Sequence, residues 1–167
     1  ASCRRQRPKI ELQVFRCRYE TWNIFKQHHY MSENLNKAAK CFVLILNDKP
    51  VAFIAILPFP HGNIKNGFRI SRIVVLPDYQ GLGLGFVIID YFASLYAKDN
   101  KKMYIKTSNP ALFGAMSKNK DKWHLTHETT KEDINTDKIL KNKAANDMGY
   151  RNAITKSYKY IGPKSNE

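Results

Sequence analysis

The chain has 167 residues, 43% of them hydrophobic, with 28 Lys and Arg against 14 Asp and Glu, a formal charge of +14. That length and apolar content fit one domain with a buried core and exclude a chain disordered throughout. No apolar run nears the roughly 20 residues of a membrane span, and Ala1-Ser2-Cys3-Arg4-Arg5 lacks the apolar stretch of a signal peptide.

Ile10–Cys17 alternates apolar and polar residues, as an edge strand does. Thr21 can cap a helix running from Trp22 to about Asn36, with Trp22, Phe25 and His29 on one face. Cys41–Leu46 and Val51–Leu57 read as strands joined by a turn at Asn47-Asp48-Lys49-Pro50, hence a hairpin. Pro58, Pro60 and Gly62 break the chain before a third strand at Phe68–Leu76. Phe86–Lys98 has a broad apolar helical face, Lys102–Lys106 is a short strand, and Pro110–Lys118 a short helix opened by Asn109-Pro110. Residues 118–150 read as an irregular basic insertion with a strand at Trp123–His127 and a helix around Asp133–Lys143. Ala153–Ile161 alternates again and reads as a closing strand through Tyr158 and Tyr160. The order predicts an α/β (α+β) fold with one mixed sheet in a single domain over 1–167.

The positive excess is not confined to a tail. Residues 1–30 carry seven basic and two acidic side chains, residues 31–115 ten and five, and residues 116–167 eleven and seven. Such a field favours polyanions, whether nucleic acid, an anionic membrane surface or an anionic cofactor; of these, a membrane partner is not expected. Cys3, Cys17 and Cys41 are odd in number and lack CxxC spacing. That argues against a disulfide framework or a structural zinc site, so no metal is expected and a reduced, cytoplasmic setting fits. Ala1 in place of Met is compatible with either an excised domain, its fused neighbours missing, or a cleaved tag.

Gln80-Gly81-Leu82-Gly83-Leu84-Gly85 joins an apolar strand to an apolar helix. Glycines there allow positive φ and close approach, and the helix start offers unpaired N–H groups to phosphate. A Rossmann loop would need Gly or Ala at position 86, which is Phe86, and a Walker loop would need a following Lys. A plain flexible turn remains the alternative, and three alternating glycines weigh against it.

Val74–Gly85 resembles motif A of the GNAT N-acetyltransferases, V-x-P-x-Y-Q-G-x-G-x-G, over about a dozen residues. The resemblance implies the GNAT fold, a central mixed, largely antiparallel sheet flanked by helices, and acetyl-CoA as co-substrate. It implies that Gln80, Gly81, Leu82, Gly83, Leu84 and Gly85 bind the CoA pyrophosphate. Ile73, Val74 and Val75 would hold the pantetheine arm and give a backbone N–H to the thioester carbonyl, an oxyanion device. Asn109 matches a frequent cofactor-reaching Asn of that family.

Two usual proton handlers of the family are missing. Phe68–Val74 has no carboxylate, and Met116 stands near the position of the general-acid Tyr. His28, His29 and Tyr30 are therefore candidates for proton transfer, with Tyr158 a further one. His28-His29-Tyr30-Met31-Ser32, with Thr107–Leu112, is also similar to acetyltransferase domains fused to ABC-type ATPases and to phage Mom-type DNA-modifying proteins. With the charge, this implies nucleic acid as partner, DNA before RNA, and a host cytoplasm if phage-encoded. Arg69, Arg72, Lys118, Lys120 and Lys122 would contact phosphates, with Trp123 beside them to stack on a base.

Four readings follow: acetylation of an amine on nucleic acid, acetylation of a small-molecule or protein amine, Mom-like base modification with another donor, or an inactive nucleic-acid-binding module. A homodimer is compatible with each.

Overall fold

The computed structural model describes residues 9–29, 34–129 and 154–166. Its strands are β1 (Gln13–Cys17), β2 (Lys40–Leu46), β3 (Lys49–Pro58), β4 (Gly67–Val75), β5 (Lys102–Thr107), β6 (Trp123–Glu128) and β7 (Lys156–Tyr160). Its helices are α1 (Trp22–Phe25), α2 (Leu84–Lys98) and α3 (Pro110–Lys118). The strands form one sheet in the order β1-β2-β3-β4-β5-β7-β6. β4 and β5 pair in parallel, while β1–β2, β2–β3, β5–β7 and β6–β7 are antiparallel. The expected mixed sheet is thus present.

Local chemistry explains the layout. Asn47 and Asp48 both take positive φ, 50° and 61°, as a two-residue type I′ hairpin turn requires. Val51–Leu57 is an unbroken apolar run because β3 is buried on both faces. Parallel β4 and β5 need a crossover, and the apolar helix α2 supplies it.

The chain divides into two compact units, Ala1–Ile56 with Ser71–Leu84, and Leu57–Ile70 with Gly85–Glu167. The first is built on Trp22, Phe25, Leu35, Cys41, Phe53, Ala55 and Val74. Phe25 stacks on Phe53 at 5.4 Å. Cutting either ring back to alanine would cost about 3–5 kcal/mol. In the second unit, α2 buries Ile89, Phe92 and Ala93, and β5 buries Met103 and Ile105.

One expectation changes, and two others stand in whole or in part. Among the described residues, the helix predicted from Trp22 to about Asn36 is α1 alone, flanked by 3-10 turns at Tyr19–Thr21 and Lys26–His28. His29 is already extended, with φ −99° and ψ 135°, and Asn36 instead turns the chain by accepting from Ala38 N–H at 2.9 Å. The tail strand forms as expected, inserted between β5 and β6. Within the insertion β6 forms where a strand was expected, whereas the helix around Asp133–Lys143 lies outside the described residues.

Candidate active site

β4 ends at Val75, and Leu76 N–H still donates to Val51 C=O at 2.9 Å. Pro77 then opens a 3-10 turn over Pro77–Tyr79, its missing N–H costing nothing at that position. The Gln80 side chain folds back, Nε2 donating to Val75 C=O at 2.9 Å. This ties the loop to the strand it leaves.

Gly81 and Gly83 have φ of +84° and +74°. Leu82 between them is not in the left-handed region. Such alternation turns successive N–H groups toward one side, the geometry of an anion-binding nest. Gly81, Leu82 and Gly83 are exposed, and nothing lies within 4 Å of where a Cβ on either glycine would stand. α2 begins at Leu84 with no acidic residue in its first turn, so nothing there repels an anion. The cradle therefore fits a pyrophosphate through backbone N–H groups. Ile73, Val74 and Val75 form the end of β4, past the parallel ladder with β5, which runs only from Gly67↔Lys102 to Ile70↔Ile105.

Asn109 caps α3, its side-chain oxygen accepting from Ala111 N–H at 2.9 Å. That oxygen has a structural task, which the cofactor role implied by resemblance did not include. Met116 is buried in α3.

The proton-transfer candidates separate. His28 is exposed at the end of its 3-10 turn, its Nε2 3.1 Å from Gln27 Nε2. His29 is half-buried and packs edge-on against Trp22, ring centroids 5.6 Å apart. It shares the Trp22 side as expected, but through an extended residue and not a helical face. Tyr30 lies outside the described residues. Tyr158 is a core residue, 4% exposed, opposite Ile105 and Leu125. Burial raises its pKa, and Lys156 and the Ser117 hydroxyl partly offset that. A phenol so enclosed fits strand packing better than proton transfer.

The nucleic-acid candidates also divide. Arg69 is exposed, its guanidinium 5.8 Å from the Phe59 ring centroid. Arg72 donates through Nη1 to Ser71 C=O at 2.8 Å, and its buried Nε has no partner among the described residues. Lys118 and Lys120 are exposed. Lys122 and Trp123 instead converge on Asp90 of α2, at 3.1 Å from Nζ and 3.3 Å from the indole Nε1. Trp123 is 1% exposed, so it cannot stack on a base. Sequence reasoning passed over Asp90, although one carboxylate in the apolar run Phe86–Leu95 signals a partner at the core margin. Among the described residues no metal-binding cluster exists, and no helix is long and apolar enough to cross a membrane.

The family model described as the acetyltransferase (GNAT) family matches residues 9–116. No curated protein matches the sequence significantly. Among solved structures, the ribosomal-protein-S18-alanine N-acetyltransferase from Escherichia coli superposes with a TM-score of 0.60 at 14% identity, covering 94% of this chain and 98% of that one. An acetyltransferase from Bacillus subtilis in complex with CoA gives 0.60 at 12%, covering 90% and 97%. A spermidine N-acetyltransferase mutant from Vibrio cholerae gives 0.60 at 10%, covering 89% and 92%. Identities this low carry the fold and nothing finer.

Proposed function

The chain belongs to the GNAT acetyltransferase family and is an acetyl-CoA-dependent N-acetyltransferase; from that premise we propose that its acceptor amine sits on nucleic acid, DNA before RNA. The observation that carries the acceptor is the +14 charge, spread over every third of the chain. Such a surface attracts a polyanion and repels polyamines.

Acetyl-CoA supplies an acetyl thioester. The Gly81–Gly83 nest and the start of α2 hold its pyrophosphate, with Gln80 fixing the loop to β4 through Val75. The end of β4, Ile73–Val75, orients the thioester arm and offers a backbone N–H to the carbonyl oxygen as charge develops there. β4 carries no carboxylate. That suits an exocyclic nucleobase amine, which is uncharged at neutral pH and sheds its proton late. An alkyl ammonium acceptor would have to lose a proton first. In this reading the exposed His28 imidazole accepts the proton.

The test is to incubate the protein with acetyl-CoA and DNA, digest to nucleosides and look for the acetyl mass shift. Parallel reactions offer small amines and peptides. Acetyl found only on those would remove the nucleic-acid acceptor. A base mass altered by another group would favour a Mom-like donor. Failure to bind CoA by calorimetry would point to an inactive module.

A further inference from the structure

The second unit presents a sheet face that the active-site reading does not use. The register places Arg69 of β4 beside Tyr104 of β5, Tyr104 opposite Lys159 of β7, and Lys159 opposite His124 of β6. Residues directly opposite on neighbouring strands share a face, so these four form one row across four strands, about 15 Å long. Arg69 and His124 are exposed, Tyr104 and Lys159 half-buried. Phe59 flanks the row, its ring 5.5 Å from Tyr104 and under the Arg69 guanidinium. Lys106, two residues along β5, continues the same face and is exposed.

The other face belongs to the helices. Phe68 meets Tyr96 of α2, Trp123 meets Asp90 of α2, and Lys156 lies over Phe113 of α3. Each of those strand residues alternates with the row. Within this part of the sheet, Glu128 is the sole acidic residue of β5–β7, and it pairs with Lys156 on the helix side at 3.1 Å. Neither Lys106 nor Lys159 has an ion-pair partner among the described residues.

We propose that this face, through Arg69, Lys106, Lys159 and His124 around Tyr104, is a docking surface for single-stranded nucleic acid. The cations track phosphates, and Tyr104 offers a ring for a base. An acidic protein segment would meet the charge but has no bases to use the aromatic centre. The proposal deepens the nucleic-acid acceptor reading yet rests on the register, so either can fail alone.

The probe is a short fluorescein-labelled single-stranded DNA of mixed sequence, titrated with the full chain over a range of salt concentrations by anisotropy. K106E and K159E are each expected to weaken binding about tenfold and to flatten the log-affinity against log-salt slope by about one. Y104A should weaken binding about tenfold at every salt concentration, through lost stacking. K49E, an equal charge change at the first residue of β3 in the first unit, should do far less. Thermal midpoints of the variants check that each is folded. Equal losses in K49E and K159E, or competition by polyglutamate as strong as by unlabelled DNA, would overturn the proposal. Face-dependent binding without acetyl transfer to nucleic acid leaves the face standing and removes the acceptor reading. Acetylated nucleic acid with unaltered binding in the face variants does the reverse.

Discussion

Gly81 and Gly83 act through their backbone. Alanine at either position meets open space, so its cost is the left-handed conformation itself, about 1–2 kcal/mol. The loop would escape that cost by leaving the nest geometry. G81A and G83A should therefore weaken CoA binding about tenfold by calorimetry, with only a small fall in thermal midpoint. A full loss of folding would show that the glycines serve the core. A second contrast concerns thiols. Cys17 faces Cys41 across β1 and β2, and both are free. Burial first, then the nearby Cys17, pushes the Cys41 pKa up to about 11. Thiolate is then scarce at neutral pH, and thiolate is the reactive form. Iodoacetamide at neutral pH should label Cys17, which is half-buried, well ahead of Cys41, as read by peptide mass spectrometry. Equal rates would contradict the buried placement of Cys41.

Elements are held by a few polar ties. Asp90 joins α2 to β6 by accepting from Lys122 and from the buried Trp123 indole. D90A strands that N–H in the core and should cost about 1–3 kcal/mol in urea unfolding. D90N keeps an acceptor for the indole and should cost less. If the two variants are equally destabilised, the indole bond is not what matters. N109A removes the cap of α3 and should cost about 1 kcal/mol. The Asn109 cap was legible in the sequence, and the Asp90 tie was not. The apolar runs of β2 and β3, the Asn47-Asp48 turn, the glycine loop and Asn109-Pro110 are local signals, and the structure forms elements there. The helix after Trp22 was misread because its Trp22–Phe25–His29 spacing persists in an extended chain, where packing on Trp22 sets it. Trp123 and Tyr158 looked like site residues because burial depends on β7 inserting between β5 and β6, a long-range pairing that no local pattern encodes. The row from Arg69 to His124 was hidden for the same reason, since its members are scattered over residues 69 to 159.

At the scale of the molecule, several protons are held more tightly folded than unfolded. Tyr160 donates to Pro163 C=O at 2.8 Å and is buried against Trp123. Burial, then the charges of Asp90 and Asp121, pushes its pKa up from 10.0 to about 12. Cys41 moves from 9.0 to about 11, and Tyr104 and Tyr158 shift upward as well. A folded pKa above the unfolded one means that the unfolded state releases its proton first. The stability such a group contributes is complete below its unfolded pKa and is lost as pH climbs toward the folded value. Thermal midpoint should therefore hold steady, as far as these groups are concerned, up to about pH 9 and fall between about pH 9 and 12. Y160F removes one titrating group and one hydrogen bond together. It should start about 1 kcal/mol less stable at neutral pH, from the unmet Pro163 carbonyl, and then lose stability less steeply above pH 10 than the parent. Parallel curves for the two proteins would mean that the alkaline loss comes from Cys41 and the other tyrosines, and C41S would then be the variant that flattens it.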